Sequence, residues 1–170
     1  MRIALAWLAG VAPLLALAQP CGQPTPADQE GPFYKAGAPA RANLVEPGTR
    51  ASRLVLTGVV RDAACRPVAG ARVDLWHADE KGEYDNRGFR YRGVVTADAE
   101  GRYRIETILP PPYVGRPRHL HAKIARPGGA VLTTQLYFPG EAGRENPALV
   151  VRARALPSGE TMAEYDFVLR

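Results

Sequence analysis

The chain of 170 residues is poor in the side chains that most metal sites use, with only three histidines and two cysteines. Three histidines are too few for a copper–zinc dismutase, and the cysteines lack the spacing of a zinc site built from thiolates and imidazoles. Basic side chains are scattered among acidic ones, although the formal net charge is +5. Because no basic stripe is present, no nucleic-acid partner is expected.

The sequence also lacks a long apolar run, and its most apolar stretch is a short one at the N-terminus. Residues 1–18, MRIALAWLAGVAPLLALA, carry a single charge at Arg2, an apolar stretch broken by Pro13, and small residues at the end. The stretch is shorter than the roughly 20 residues of a membrane-spanning helix. Its layout is typical of a signal peptide cleaved after Ala18. We therefore expect a periplasmic or secreted mature protein, with no membrane partner after cleavage and a net charge lowered from +5 to +4 by the loss of Arg2.

The two cysteines, Cys21 and Cys65, would both remain in the mature chain. In an oxidising compartment such a pair can form a disulfide, so the expected export favours a bond between them over two buried thiols. The sequence leaves open whether this bond forms. If it does, it ties the N-terminal segment to the rest of the domain.

The mature chain shows no helical periodicity. Residues 19–50 are rich in proline, glycine and alanine and have no apolar period, which predicts an extended arm. After residue 50, apolar and polar residues alternate in short segments separated by glycine and proline turns, which is typical of strands. The segments are LVLTGVV, ARVDLWHA, YRIETIL, HLHAKIA, VLTTQLYF and EYDFVLR. We therefore expect an all-β fold with one β-sandwich domain over residues 51–170.

Two of the three histidines, His119 and His121, fall in the predicted strand HLHAKIA. Successive side chains of a strand alternate between its faces, so both imidazoles share a face and can converge on one ion. Taken alone, such a pair fits a metal site or a polar surface pair. The further ligands of familiar sites are missing, because Ala125 and Arg126 stand where a cupin has its glutamate. The aspartate and histidine of an H-x-H-x-D-H zinc hydrolase are absent as well.

Tyrosine is the remaining candidate ligand, and two of the seven tyrosines occupy unusual places. Tyr84 comes just after a predicted strand, and Tyr113 follows a proline run that leads into the histidine strand. A phenol has a pKa of about 10, but a hard trivalent cation such as ferric iron lowers the pKa of its ligands. Two histidines and two phenolates would leave a coordination position open on such an ion. Spacing by itself still favours core aromatics for both tyrosines.

Five ordered blocks of sequence cover most of the mature chain, from about residue 25 to residue 138. They are TPADQEGPFY, LTGVVRDAACRPVAGARVDLWHADEKGEY, FRYRGVVTADAEGRYRIETILPPPY, RPRHLH and TTQLYF. Together they resemble the intradiol ring-cleavage dioxygenases, the family that includes catechol and protocatechuate dioxygenases. The resemblance implies a β-sandwich of the transthyretin (prealbumin) type, which would follow the extended N-terminal arm that the composition predicts. It also implies a non-haem Fe(3+) cofactor, an aromatic diol and O2 as substrates, and ring opening between the hydroxylated carbons to a cis,cis-muconate-type diacid.

The resemblance assigns roles to single residues. Those that match the iron ligands of the family are Tyr84, Tyr113, His119 and His121. Tyr113 matches the axial ligand that leaves when substrate binds. Arg116 matches an active-site arginine that stabilises negative charge on the substrate, with a surface ion pair as its alternative role, and Gln135 matches a glutamine that lines the site. His77 is expected to be structural, and Tyr91 to belong to the pocket or the core.

Two other interpretations stay open. The segments GVVRDAACRPVAGARVDLW and GRYRIETILPPPY also resemble carboxypeptidase-regulatory-like modules, which are transthyretin-like sandwiches without chemistry. That alternative predicts an exported binding or structural module, but such a module has no reason to carry RPRHLH together with Tyr84. The other is an intradiol-like protein that binds iron but turns over no catechol. The short segment VGRPR between Tyr113 and His119 leaves the substrate open, and a homo-oligomer is compatible with the sequence.

Overall fold

The structure is a computed structural model that describes residues 22–141 and 146–170. Within these residues the chain forms nine strands and one short 3-10 helix. The strands are β1 (Arg53–Asp62), β2 (Arg72–Trp76), β3 (Arg92–Thr96), β4 (Arg102–Ile108), β5 (His119–Ala125), β6 (Val131–Tyr137), β7 (Arg152–Ala155), β8 (Thr161–Glu164) and β9 (Phe167–Leu169), and the helix is Pro147–Leu149. The expected all-β fold is confirmed. The predicted signal peptide, residues 1–18, lies outside the described residues.

The strands form two sheets that enclose one apolar core. One sheet has the order β4–β1–β8–β7, with β9 also paired to β1, and the other has the order β3–β2–β5–β6. Strand β1 runs parallel to β8 and β9, and the other pairs are antiparallel. Both sheets contribute fully buried side chains to the core, among them Leu56, Leu75, Ile105, Leu120 and Phe167. The predicted β-sandwich is therefore confirmed.

Five of the predicted strand segments correspond to β1, β2, β4, β5 and β6. The sixth, EYDFVLR, overlaps two strands, because Glu164 ends β8 and Phe167 begins β9. Between them, the Asp166 carboxylate accepts a hydrogen bond of 2.8 Å from the backbone N–H of Val59. Strands β3, β7 and β8 were not predicted. The sequences of β7 and β8, RARA and TMAE, contain a single β-branched residue and no aromatic one. Their extended conformation is therefore explained by pairing with neighbouring strands and not by a high β propensity of their own residues.

The alternation of side chains along β5 sets the position of the histidine pair. Leu120 and the apolar residues at alternate positions after it are buried in the core. His119 and His121 therefore project from the opposite, outer face of the sheet. Their partners across the β5–β6 pairing are Tyr137 and Gln135, respectively, which share that outer face. The strand register thus gathers polar side chains outside the sandwich core.

Residues 22–50, the described part of the predicted arm, contain no helix or named strand and run across both sheets. Backbone hydrogen bonds join Thr25 to β9 and Asp28 to a residue of β6. Further along, Ala40 forms a bridge to β3 and Asn43 a bridge to β4. The arm thereby passes over the outer face that carries the histidines. No helix in the described part of the chain is long and apolar enough to span a membrane.

Cys65 is disulfide-bonded. The chain has only one other cysteine, Cys21, which lies outside the described residues. Cys65 sits in the turn after β1 with a φ of 69°. A disulfide at this position is consistent with the expectation of an oxidising compartment.

Candidate metal centre

The four predicted ligands lie together on the outer face of the β2–β5–β6 sheet. The Tyr84 hydroxyl is 3.1 Å from Nε2 of His121 and 3.4 Å from Nε2 of His119. The two imidazole rings lie 4.9 Å apart between centroids. The Tyr113 ring is 5.6 Å from that of His119 and 5.7 Å from that of Tyr84. The chain therefore brings all four side chains to one place.

The orientation of His119 is set by the carbonyl just before its strand. Nδ1 of His119 lies 2.7 Å from the backbone oxygen of Pro117. A carbonyl oxygen only accepts hydrogen bonds, so Nδ1 carries the ring proton and donates it. Nε2 then presents its lone pair toward the Tyr84 hydroxyl. This is the tautomer that a metal ligand needs.

The second histidine is held by two neighbours from different parts of the chain. The ring of His121 stacks on Trp76 of β2, with centroids 5.0 Å apart and an interplanar angle of 8°. Gly31 of the arm lies against the same ring, and a Cβ atom on Gly31 would come within 3.1 Å of Cε1 of His121. Gly31 also has a φ of +71°, which other residues adopt at a cost. Glycine therefore allows the arm to touch the imidazole.

The two tyrosines come from loops. The Tyr84 ring stacks on Phe33 of the arm at 4.5 Å and 17°. Tyr113 begins a tight turn closed by backbone hydrogen bonds to and from Arg116, of 2.8 and 3.1 Å. A Cβ atom on Gly82 would lie only 2.9 Å from Cβ of Tyr113, so a glycine is needed for the two loops to approach. Strand β5 supplies the two histidines of the candidate site, the two loops supply the tyrosines, and the arm packs against Tyr84.

Arg116 and Gln135 border the same place. Nη2 of Arg116 donates to Oε1 of Gln135 at 2.8 Å, and Nη1 lies 3.3 Å from Nε2 of His119. The Gln135 side chain is fully buried, and its Nε2 donates to the backbone oxygen of Gln29 at 2.7 Å. The guanidinium is therefore directed at the point where the ligand atoms meet.

Burial favours the uncharged forms of His119, His121 and Tyr84. Burial is the largest cause that lowers the pKa of His121, to about 3, followed by the neighbouring His119 and Arg116. It lowers the pKa of His119 too. Burial likewise raises the pKa of Tyr84, with Tyr113 as the next cause. At neutral pH the imidazoles therefore offer lone pairs, and a phenolate at Tyr84 requires a nearby cation.

The donor set fits a hard, highly charged ion. Across residues 22–141 and 146–170, no three side chains from His, Cys, Asp and Glu come together as a metal-binding group. The donors that do converge are two imidazoles and two phenols. Phenolate oxygen suits a hard cation, and a trivalent charge compensates for two phenolates in a buried site. The residues present are thus suited to ferric iron.

The polar side-chain atoms of His77 and Tyr91 bond to partners other than the candidate ligands. The ring nitrogens of His77 are within 2.7 Å of the Ala78 carbonyl oxygen and 2.6 Å of the Thr107 hydroxyl. Both nitrogens of this buried ring are therefore engaged elsewhere. The hydroxyl of Tyr91, also buried, donates to the Glu80 carboxylate at 2.8 Å.

Sequence reasoning missed several residues that shape the site: Asp28, Gly31, Phe33, Trp76 and Tyr137. All of them belong to the blocks of sequence that carry the family resemblance, and this was the only signal that could have found them. Their roles depend on the arm crossing the outer face of the sheet, which no local pattern predicts.

Sequence comparisons agree with this geometry. The model of a family described as Dioxygenase matches residues 29–117. The chain is 36% identical over 136 residues to a chlorocatechol 1,2-dioxygenase of Pseudomonas sp. (strain P51), a match that covers 65% of this chain and 54% of that protein. It is 30% identical over 186 aligned positions to a chlorocatechol 1,2-dioxygenase of Rhodococcus opacus, covering 83% and 70%. The chain thus spans about half the length of the first relative.

A solved structure is similar as well. The dioxygenase domain of a dioxygenase–carbohydrate-binding protein fusion from Streptomyces sp. SirexAA-E superimposes with a TM-score of 0.83 and 41% identity. The match covers 86% of this chain and 98% of that domain. This domain and the two sequence relatives are all named as dioxygenases, which does not favour a module without chemistry.

Proposed function

The chain belongs to the intradiol ring-cleavage dioxygenase family, and we propose that it opens the ring of a catechol-type diol with O2. The proposed cofactor is ferric iron, bound by Tyr84, Tyr113, His119 and His121. The product would be a cis,cis-muconate-type diacid that contains both atoms of O2. The observation that carries the proposal is the convergence of Tyr84 on both histidines, at 3.1 and 3.4 Å from their Nε2 atoms.

The two tyrosines would act differently. Ferric iron, when bound, supplies the Lewis acidity that favours a deprotonated diol. We assign the role of general base to Tyr113, whose Oη would take up the proton of a diol hydroxyl. Tyr84 is held by its stacking on Phe33 and its contacts with both histidines, so it stays in place.

Arg116 would provide the electrostatic part of catalysis. Its guanidinium is fixed by Gln135 at 2.8 Å and carries a permanent positive charge beside the ligand atoms. Negative charge that develops on the substrate oxygens would be stabilised by this cation without reorganisation during the reaction. The arm residues Gly31 and Phe33 cover His121 and Tyr84 and limit the access of water.

Reconstitution with iron tests the proposal. The loaded protein should bind an equimolar amount of ferric iron, show a broad visible tyrosinate charge-transfer band and consume O2 with catechol. Tyr113→Phe and His121→Ala should abolish ring opening while the circular dichroism of the fold is retained. Tyr103→Phe is the matched control, because it removes the hydroxyl of a buried tyrosine that donates to the backbone oxygen of Tyr165 instead.

Three outcomes would contradict the proposal in different ways. A colourless protein after reconstitution would favour the exported module without chemistry. A coloured protein that consumes no O2 with any diol would be an iron-binding protein without turnover. Full turnover by His121→Ala would show that the ligand assignment is wrong.

The substrate requires its own assay. We propose catechol and chlorocatechols as the first diols, because both sequence relatives are named for chlorocatechol. The panel should include protocatechuate and hydroxyquinol, with oxygen uptake as the readout. A preference for protocatechuate would contradict this choice but not the reaction class.

We also propose that the protein is periplasmic or secreted. The proposal is supported by the N-terminal pattern of residues 1–18 and by the disulfide at Cys65. N-terminal sequencing of the protein from its native host should begin at Gln19. A cytoplasmic protein that retains Met1 would contradict the proposal.

A further inference from the structure

A hydrogen-bonded network joins the N-terminal arm to Arg116. The Tyr137 hydroxyl donates to Oδ2 of Asp28 at 2.9 Å and lies 3.2 Å from Oε1 of Gln135. That same Oε1 accepts from Nη2 of Arg116 at 2.8 Å. Oδ1 of Asp28 accepts from the backbone N–H of Gln29 at 2.7 Å, which fixes the carboxylate. The network spans 109 residues of sequence between Asp28 and Tyr137.

The number of protons gives this network a direction. The Tyr137 hydroxyl has one proton to donate and a carboxylate only accepts hydrogen bonds, so the hydroxyl donates to Asp28. Oε1 of Gln135 is then left to accept from Arg116. The Gln135 amide cannot turn over, because its Nε2 donates to the backbone oxygen of Gln29. Two groups of the arm therefore orient the residues that hold the guanidinium.

Without the carboxylate of Asp28, the Tyr137 hydroxyl would donate its hydrogen bond to a different acceptor. The proton of Tyr137 would turn toward Oε1 of Gln135, which is only 3.2 Å away. It would then compete with Arg116 for the same oxygen. A cavity of about 340 Å³ borders Asp28, Arg116 and Tyr137, so the guanidinium has room to move away from His119.

Resting on the proposed function, we infer that Asp28 is a positioning residue for catalysis. Acting through Tyr137 and Gln135, it holds the Arg116 guanidinium beside the place where the ligand atoms meet. Asp28 itself does not touch the substrate in this scheme.

Asp28→Asn tests the inference, because the amide keeps the size of the side chain but only one acceptor oxygen. With that oxygen accepting from the backbone N–H of Gln29, the amide nitrogen faces the Tyr137 hydroxyl as a donor. In the iron-loaded protein kcat with catechol should fall by about 10- to 100-fold, the effect expected when a catalytic group is displaced by about 1 Å. KM should change much less. The matched control is Glu30→Gln, which removes another carboxylate of the arm, one that pairs with Lys123 at 2.5 Å instead. The control should keep the kcat of the parent protein.

A second substitution separates this mechanism from a general loss of structure. If the loss of kcat in Asp28→Asn comes from the redirected proton of Tyr137, removing that proton should restore part of the activity. The recovery is partial because Tyr137→Phe also removes an oxygen 3.4 Å from Nη2 of Arg116. The double variant Asp28→Asn/Tyr137→Phe should therefore have a higher kcat than Asp28→Asn alone. A double variant whose loss of kcat equals the two single losses combined would overturn the inference.

A readout without iron keeps the inference separate from the proposed function. In the metal-free protein, phenylglyoxal should modify Arg116 faster in Asp28→Asn than in the parent or in Glu30→Gln, as measured on the Arg116 peptide by mass spectrometry. Asp28→Ala removes both acceptor oxygens and decides the question if the asparagine variant does not fold. A parent protein that turns over no diol would refute the proposed function alone. Unchanged Arg116 labelling and kcat in a folded Asp28 variant would refute the positioning role.

Discussion

The contact between the arm and His121 can be tested with one methyl group. Gly31→Ala places a Cβ atom 3.1 Å from Cε1 of the imidazole, closer than ordinary van der Waals contact. The ring is backed by Trp76 at 5.0 Å, so it cannot simply retreat. Either the arm lifts or the imidazole shifts by a few tenths of an ångström. Both responses disturb the position of Nε2 relative to Tyr84.

Two effects of this substitution must be separated. Gly31 has a φ of +71°, and a left-handed backbone costs an alanine about 1–2 kcal/mol. Gly48→Ala is the matched control, because Gly48 also lies in the arm with a φ of +80°, and a Cβ atom there meets no described atom within 4 Å. The two variants share the backbone cost, so the difference between them reports the contact with His121.

We expect the two variants to differ in metal binding rather than only in stability. Urea unfolding of the metal-free proteins should show both destabilised by about 1–2 kcal/mol, with Gly31→Ala at least as affected. Iron affinity, followed by the charge-transfer band, should fall by about 10-fold in Gly31→Ala alone, as is typical when a group that orients a ligand is changed. Equal iron affinity in the two variants would refute the view that the arm positions His121.

Two further predictions concern the sandwich. Gly58→Ala should lower the free energy of unfolding by about 3 kcal/mol or more, because its Cβ atom would lie 1.7 Å from the Tyr165 carbonyl oxygen; a urea midpoint equal to that of the parent would contradict this. His77 is buried and its pKa is lowered by burial to about 4, below an unfolded value of about 6.5, so it contributes stability that is fully present above pH 6.5 and lost as the pH falls toward 4. His77→Gln should remove up to about 3 kcal/mol of this pH dependence in the metal-free protein. The measurement is the free energy of unfolding between pH 4 and pH 7, and the same dependence on pH in both proteins would contradict the reasoning.

The sequence predicted what depends on local periodicity. Alternation along HLHAKIA placed His119 and His121 on one face, and the pairing of β5 with β6 agrees with that placement. Periodicity did not select Tyr84 or Tyr113 among the seven tyrosines, because both lie in loops where no period applies. Only the family resemblance identified them. The structure shows both close to the histidines, an arrangement that could not have been derived from spacing.

The contributions of the arm were not predictable, because they are non-local. Asp28 meets Tyr137 across 109 residues of sequence, and the proline- and glycine-rich pattern of the arm predicts only that it is extended. The direction in which an extended segment crosses a sheet is decided by side chains on the sheet. Strands β7 and β8 were missed for a similar reason, since pairing rather than composition makes them strands.

The arm explains why the histidine pair is buried although it lies on the outer face of a sheet. The sandwich buries only the inner faces of its sheets, so a pair on an outer face would ordinarily be exposed to water and titrate at about pH 6.5. Here His121 is 1% exposed, and burial lowers its pKa to about 3. Gly31 lies against the ring of His121 and Phe33 against that of Tyr84, and the neutral imidazoles keep lone pairs that could bind a metal. A transthyretin-like sandwich without such a covering segment would present the same strand pattern without this burial. The proposed chemistry therefore depends on how the arm docks onto the sheet, in addition to the strands that carry the histidines.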